Sequence, residues 1–137
     1  MTSPEDLSRL HARCFDTPRP WTAAEISNLI AEPAVKIVSE DCGFAMVRVV
    51  VDEAELLTLA VAPDARRSGT GSRLLSAVME AARAEGAKDM FLEVSAENGA
   101  ALGLYRKFGF HEVGMRPGYY GGQDGTAVDA LTLRKLL

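Results

Sequence analysis

The spacing of apolar residues along the chain changes period near Pro33. Before Pro33, apolar residues recur every three or four positions, which predicts two helices. Ser3 caps the first, and a capping box at Thr22 and Glu25 begins the second. After Pro33, short apolar runs alternate with turn residues, as is typical of strands. Because these runs lie close together in sequence, an antiparallel arrangement is favoured. The strands predicted there are 35–39, 44–51 and 56–61, with a turn over 52–54.

The second half of the chain alternates helices with strands. The apolar positions from Leu74 to Ala82 share one helical face, so a helix is predicted from Ser72 to about Glu85. The strand that follows this helix should lie parallel to the strand before it, through a right-handed crossover. The pattern therefore predicts an α/β sandwich built on a mixed sheet. The remaining elements are a strand at 90–94, a helix over 98–108, and strands at 110–115 and 126–133 joined by a loop over 116–125.

Composition limits the classes of function. A chain of 137 residues, 47% hydrophobic and 25% charged, is typical of one globular domain, here residues 1–137. Its formal net charge of −4 argues against bulk nucleic-acid binding, and no run has the length of a transmembrane helix. Cys14 and Cys42 lack metal-ligand spacing and are interpreted as buried thiols. Reduced thiols make the cytoplasm the expected location.

The loop between the strand 56–61 and the next helix carries a binding signal. It holds Arg66, Arg67, Gly69 and Gly71 directly ahead of a helix N-terminus, whose free N–H groups attract anions. The amides of residues 67–72 are therefore predicted to bind a pyrophosphate, with an arginine adding charge. The alternative is a surface loop whose glycines serve only the turn. The dinucleotide and P-loop fingerprints do not fit, because position 74 is leucine and the loop has no lysine.

Glu93 interrupts an otherwise apolar strand. By the alternation of side chains along a strand, it faces away from Met90, Leu92 and Val94. A carboxylate at such a position costs free energy unless it is paired or in contact with water. Two interpretations follow: an ion pair with an arginine at the strand end, or a general base in a cleft.

Five further residues could contribute to a site. Tyr105 falls in mid-helix, where its hydroxyl would reach a partner in the core or give a proton to a leaving thiolate. Asn98 would cap the helix that follows it, or reach a ligand beside the phosphate loop. His11 is interpreted as structural, because it has no catalytic partner nearby in sequence. Tyr119 and Tyr120 lie in the glycine-rich loop and either close the sheet edge or form a substrate lid.

These motifs carry a family resemblance. Arg66-x-x-Gly69-x-Gly71 after a strand resembles the acetyl-CoA loop of the GNAT family of N-acetyltransferases. The resemblance covers about residues 55–134. It implies a three-layer sandwich with a mixed, mostly antiparallel sheet flanked by helices. Members of the family usually begin with a strand before the first helix, and this sequence departs from that pattern because its first strand is expected to be short or absent. A second set of motifs is similar to those of the RimI-like ribosomal-protein alanine N-acetyltransferases: Leu92-Glu93-Val94, Asn98, Ala100-Ala101, Leu104-Tyr105, Phe108-Gly109-Phe110, Arg116 and Tyr119-Tyr120.

The resemblance also implies roles for single residues, with acetyl-CoA as co-substrate and no metal. Glu93 would act as the base, directly or through a water, and Tyr105 as the acid that protonates the departing thiolate. Tyr119 and Tyr120 would shape the peptide site. The cofactor-binding residues that it implies are Leu59, Ala60, Val61, Arg66, Arg67, Ser68, Gly69, Thr70, Gly71, Ser72, Asn98 and Tyr105.

Three functions are compatible with this sequence. The first is acetylation of a protein N-terminus, expected to be alanine of a small-subunit ribosomal protein. An α-amine with a pKa near 8 leaves about a tenth of the molecules neutral at pH 7, and an acidic enzyme suits basic protein tails. The second is acetylation of a small amine, such as an amino acid, a polyamine or an antibiotic. The third is acetyl-CoA binding without catalysis. No direct nucleic-acid or membrane partner is expected, and the oligomeric state stays open.

Overall fold

The structure, a computed structural model, describes residues 3–15, 19–66, 68–121 and 127–137. Ser3 caps the first helix and Thr22 and Glu25 form a capping box at the second, as the sequence predicts. The helices are α1 (Pro4–Cys14), α2 (Ala23–Ala31), α3 (Thr70–Ala84) and α4 (Gly99–Lys107). The strands are β1 (Val35–Glu40), β2 (Gly43–Val50), β3 (Glu53–Val61), β4 (Asp89–Ser95), β5 (His111–Gly121) and β6 (Ala127–Leu136), and a short 3₁₀ turn, Pro63–Ala65, follows β3.

The six strands form one sheet in the order β1-β2-β3-β4-β6-β5. Four of its five neighbouring pairs are antiparallel, and only β3 and β4, which are joined through α3, are parallel. This arrangement confirms the mixed, mostly antiparallel sheet and the parallel pairing of the strands before and after α3. Within the described residues the first element is α1, so no strand precedes it there.

Helices cover both faces of the sheet and create two cores. On one face α1 and α2 pack through Leu7 and Ile26 onto Phe44, Met46 and Ala60. The opposite face holds the larger core, where α3 and α4 cover the sheet, so the three-layer prediction is confirmed. Within the described part of the chain, no helix is long and apolar enough to cross a membrane. The larger core includes Ala45, Val47, Leu56, Leu75, Val78, Met90, Leu92, Leu102 and Leu133.

The predicted loop over 116–125 is wrong for residues 116–121, because β5 runs through them to Gly121. Tyr119 and Tyr120 therefore lie on a strand, and Tyr120 pairs with Val128 of β6. The Pro-Gly pair at 117–118 is accommodated by an irregular register between Arg116 and Tyr120, with Gly118 at a φ of 60°. Pairing with β6 thus overrides the local turn signal. Residues 122–125 of that loop, and Thr126 of the predicted final strand, lie outside the described residues.

Two smaller predictions also need correction. The turn predicted at 52–54 lies one residue earlier, at Val51 and Asp52, because β3 already begins at Glu53. Cys42 was expected to be buried, but it is exposed in the two-residue turn between β1 and β2, while Cys14 is half-buried. The apolar residues that flank Cys42 in sequence belong to strands whose side chains pack in the core. Cys42 itself lies in a tight turn, which leaves its side chain exposed to solvent.

Candidate active site

The site begins where β3 and β4 separate. These strands pair only between Glu53–Glu55 and Asp89–Phe91, although both continue further. In the pairing with β2, Leu57 is an extra residue, since Val47 is opposite Leu56 and Met46 is opposite Thr58. Such a bulge bends a strand and increases its twist. The bulge in β3 therefore lies immediately beyond the last pair with β4, where a cleft opens between the two strands.

The open edge of β3 presents backbone groups to this cleft. The Ala62 N–H donates to the Cys42 carbonyl over 2.7 Å, which fixes the alternation of hydrogen bonds with β2. By that alternation the backbone N–H and C=O of Ala60 point toward β2. The backbone N–H and C=O of Leu59 and Val61 point away from β2, toward the cleft. The Val61 carbonyl already accepts from the Cys14 thiol (3.1 Å) and from Arg66 Nε (3.3 Å). The backbone of Leu59 is thus placed to pair with an extended ligand.

A cavity of about 690 Å³ lies between this edge, the start of α3 and α4. It brings together eight of the residues predicted to bind a cofactor. Ala60 is not among them, because its side chain is buried in the smaller core. Ser68 and Thr70 do not line the cavity either, and Arg67 lies outside the described residues. The eight are Leu59, Val61, Arg66, Gly69, Gly71, Ser72, Asn98 and Tyr105.

The N-terminus of α3 opens into this cavity. Its N-cap is Gly69, at a φ of 86°, and no side chain among the described residues caps the helix. The N–H groups of the first turn are therefore free of the side-chain partner that most helices have. A Cβ on Gly71 would lie 3.3 Å from Leu104 Cδ2 on α4, so glycine permits the close approach of the two helices. Free amides, the positive helix end and Arg66 fit a phosphate group.

Ser68 and Thr70 support the loop instead of lining the cavity. The Ser68 hydroxyl is hydrogen-bonded to the Ala65 carbonyl and to the Thr70 hydroxyl. Arg73 donates to the Ser68 carbonyl over 3.4 Å and forms a two-bond ion pair with Glu40 of β1, at 2.9 and 3.0 Å. The hydrogen bond from Arg73 lowers the pKa of the Glu40 carboxyl. Sequence reasoning missed this ion pair, because Glu40 and Arg73 are 33 positions apart.

A second cavity, of about 460 Å³, lies on the other side of the cleft, against α1 and β5. Glu93, Tyr119 and Tyr120 line it, so the structure brings the predicted base and the predicted substrate residues together. We call it the acceptor-side cavity, and the first one the cofactor-side cavity. Both cavities are lined by Phe15, Leu59, Ser95, Asn98, Ala101 and Tyr105, where they meet.

The structure gives Glu93 an arginine partner and places it in a cleft, while its role as a general base stays a prediction. Its side chain is 29% exposed in the acceptor-side cavity, and Arg116 Nη2 lies 3.3 Å from its carboxylate. The Arg116 guanidinium also lies 4.9 Å from the centre of the Tyr119 ring, a cation–π contact. Burial, with the nearby Glu93 charge, raises the pKa of Tyr120 to about 12, so its hydroxyl stays protonated.

Tyr105 and Asn98 stand at the junction of the cavities. Tyr105 is 6% exposed and packs edge-to-face on Phe110, at 5.7 Å between ring centres. Burial raises its pKa far above the ordinary value, which keeps its hydroxyl a proton donor. Asn98 caps α4, as predicted: its Oδ1 accepts from the Ala101 N–H over 3.1 Å. The cap uses the side-chain oxygen, so the amide NH₂ is the group that could donate to a ligand.

Sequence reasoning missed several lining residues. Phe15 and Ser95 both line the junction, but an aromatic residue at a helix end and a serine at a strand end carry no distinctive pattern. Thr58, on the same strand as Leu59, lines the acceptor-side cavity and bonds to the buried His11. Among the residues that the structure describes, no three His, Cys, Asp or Glu side chains are grouped to hold a metal ion.

Known proteins resemble this chain in sequence and in fold. The model of the Acetyltransferase (GNAT) family matches residues 5–110. Ribosomal protein bS18 alanine N-acetyltransferase of Escherichia coli is 43% identical over 82 residues, which is 60% of this chain and 55% of that protein. The match thus spans little more than half of this curated relative. N-alpha-acetyltransferase RimI of Mycobacterium tuberculosis is 34% identical over 137 residues, which covers 93% of this chain and 83% of the relative.

Solved structures give the same result for the fold. The crystal structure of the E. coli ribosomal-protein alanine N-acetyltransferase superposes with a TM-score of 0.83 at 30% sequence identity. The match covers 94% of this chain and 84% of that protein. The similarity therefore includes the smaller core under α1 and α2 as well as the motif-bearing half.

Proposed function

Because the chain belongs to the Acetyltransferase (GNAT) family, we propose that it transfers the acetyl group of acetyl-CoA to the α-amine of a protein N-terminus. One observation carries the proposal: two cavities meet at Tyr105, with a helix N-terminus on one side and Glu93 on the other. A molecule with a phosphate end and a reactive end can span the first cavity, and a second reactant can approach through the other.

The residues of the cofactor-side cavity fit acetyl-CoA. The amides at the start of α3 and the Arg66 guanidinium would hold the pyrophosphate. The backbone of Leu59 would pair with the amide-bearing arm, which extends β3 at its open edge. The Asn98 amide would donate to the same arm. Bound there, acetyl-CoA supplies a thioester carbon that a neutral amine can attack directly.

Glu93 and Tyr105 then divide the proton transfers. Glu93 accepts a proton from the amine, directly or through a water, and its ion pair with Arg116 orients the carboxylate. Tyr105 holds its proton because its pKa is raised by burial, and it can give that proton to the thiolate that departs. An α-amine with a pKa near 8 requires only a modest base, whereas a lysine amine near 10.4 requires more.

Two considerations support a ribosomal acceptor. The similar E. coli protein is named for N-acetylation of an alanine of ribosomal protein bS18, and the similar M. tuberculosis protein is named as an N-alpha-acetyltransferase. The chain has a net charge of −4, which favours encounter with a basic protein tail. The specific acceptor that we propose is an N-terminal alanine of a small-subunit ribosomal protein. The proposal places the reaction in the cytoplasm, where such proteins are made.

The test measures CoA release from acetyl-CoA with three acceptors under one set of conditions. These are a basic peptide with a free N-terminal alanine, the same peptide with that amine blocked and a lysine retained, and a mixture of polyamines and amino acids. Turnover with the free terminus alone is expected. Turnover with the blocked peptide or the small amines contradicts the proposed acceptor, and no turnover with any of them favours a binding protein.

Tyr105→Phe provides the matched variant, because it keeps the buried ring and removes only the hydroxyl. We expect kcat to fall by roughly a hundredfold or more, since general acid catalysis contributes about that much. The KM for acetyl-CoA should change little. An unchanged kcat would remove Tyr105 from the proton transfer and leave the family membership standing.

A further inference from the structure

His11 and Thr58 form a hydrogen-bonded pair in the wall of the acceptor-side cavity. His11 Nε2, on α1, lies 3.2 Å from Thr58 Oγ1, on β3. Both residues are buried, at 2% and 7% exposure, and both line the cavity. The imidazole stacks on the Trp21 ring and contacts the Phe15 ring, at 4.7 and 4.5 Å between ring centres. The pair is therefore a fixed part of the wall.

The direction of this hydrogen bond follows from the other ring nitrogen. The Trp21 N–H donates to His11 Nδ1 over 3.1 Å. An amide N–H can only donate, so Nδ1 must carry a lone pair. A neutral imidazole then has its proton on Nε2, and that proton is given to Thr58 Oγ1. Burial lowers the pKa of His11 to about 4, which agrees with a neutral ring.

This direction fixes the role of the Thr58 hydroxyl. Its oxygen accepts from His11, so its own hydrogen is available to be donated to another acceptor. Among the described residues, the structure records no second hydrogen-bond partner for this hydroxyl. Thr58 lines the acceptor-side cavity and not the cofactor-side cavity. The bulge at Leu57, directly before Thr58, directs the Thr58 side chain to the face of the sheet that α1 covers. The Glu93 side chain lies on the same face.

We propose that Thr58 is a fixed hydrogen-bond donor to a carbonyl oxygen of the acceptor, and that His11 is the residue that positions it. The inference rests on the proposed function and narrows it. An α-aminoacyl group, as at a peptide N-terminus, has a carbonyl oxygen close to the reacting amine. A simple alkylamine or polyamine has none. The pair would therefore select acceptors in which a carbonyl follows the amine.

Equilibrium binding tests this assignment without turnover. Trp21 is the single tryptophan and lines the acceptor-side cavity, so its fluorescence reports occupancy. The protein with CoA is titrated with an N-terminal alanine peptide and with an analogue whose first peptide bond is an (E)-alkene. The alkene keeps the shape of the chain and removes the carbonyl oxygen. Thermal unfolding of each variant verifies that it is folded.

Thr58→Val keeps the shape of the side chain and removes the hydroxyl, and Thr58→Ser keeps the hydroxyl. We expect Thr58→Val to weaken peptide binding about three- to tenfold, as the loss of one neutral hydrogen bond does. It should leave binding of the alkene analogue unchanged, and Thr58→Ser should restore peptide binding. Equal effects on both ligands, no effect on either, or no binding to the wild-type protein would overturn the assignment.

His11→Phe tests the positioning role, since it keeps a stacked ring and removes both nitrogens. It should weaken peptide binding as Thr58→Val does, again without affecting the alkene analogue. The double variant should be no weaker than Thr58→Val alone, because the two residues act through one bond. Additive losses would assign His11 a purely structural role. If Thr58-dependent binding is found but the bound peptide is not acetylated, the proposed function fails and this inference stands.

Discussion

Acid should destabilise the fold through one buried side chain, His11. Burial lowers its pKa from an ordinary value of 6.5 to about 4 in the folded protein. The unfolded chain therefore takes up a proton first as the pH falls, and stability is lost. The loss begins near pH 6.5, grows as the pH falls toward 4, and is complete below that. Its full size is about 3 kcal/mol, at about 1.4 kcal/mol for each pH unit between the two values.

The structure gives the reason for this lowered affinity for a proton. A second proton on the ring would have to go to Nδ1, where the Trp21 N–H already points. Two donors would then face each other at a site that is 2% exposed. The charge of Glu25 opposes the effect and raises the pKa, but burial is the larger cause. Protonation should therefore open the contact between α1 and the Trp21 segment.

The assay is denaturant unfolding of the wild-type protein and His11→Phe at pH 7.5 and pH 4.5. The wild type should lose about 2.5 kcal/mol more than the variant over this interval. Carboxyls whose pKa is lowered, such as Glu25 and Asp6, lose stabilisation in both proteins, so the difference isolates His11. NMR of His111→Asn, which leaves one imidazole, should show a titration near pH 4. A midpoint near 6.5, or equal losses in both proteins, would refute the reasoning.

Three further predictions concern catalysis, the cofactor and stability. Glu93→Gln keeps the shape of the side chain and removes the base, so kcat in the CoA-release assay should fall roughly a hundredfold with little change in the KM for acetyl-CoA. Gly71→Ala places a Cβ 3.3 Å from Leu104 Cδ2 and should weaken CoA binding in calorimetry. Gly103→Ala is the control, because its Cβ meets nothing within 4 Å. It should leave the kinetics unchanged and stabilise α4 by about 1 kcal/mol. Thr22→Ala breaks the capping box of α2 and should cost about 1 kcal/mol in denaturant unfolding; an unchanged midpoint would contradict that role.

The local elements of this fold were predictable because their signals are local. Caps at Ser3 and Thr22, the apolar face from Leu74 to Ala82, and the alternation around Glu93 each involve residues within a few turns of one another. The prediction failed at Tyr119 and Tyr120, where a Pro-Gly pair indicates a loop. Pairing with Val128 keeps that segment in the sheet, and the sequence near the tyrosines does not indicate this contact.

The candidate site likewise combines local motifs, which the sequence predicts, with long-range contacts, which it does not. The loop from Arg66 to Gly71 and the strand bearing Glu93 are contiguous motifs, and the structure places most of their residues around two joined cavities. The ion pair of Glu93 with Arg116 and the supporting pair of Arg73 with Glu40 join distant segments. Since such pairs depend on which strands become neighbours, residue spacing alone does not indicate them.

The sequence by itself determined the family, the order of helices and strands, and the residue types suited to proton transfer and phosphate binding. Those properties depend on period, capping and short motifs, which act over a few residues. The tertiary structure alone decided where β3 leaves β4, how His11 reaches Thr58, and which side chains line each of the two cavities. These features depend on a one-residue bulge and on contacts 47 positions apart, so they exist only once the sheet has formed.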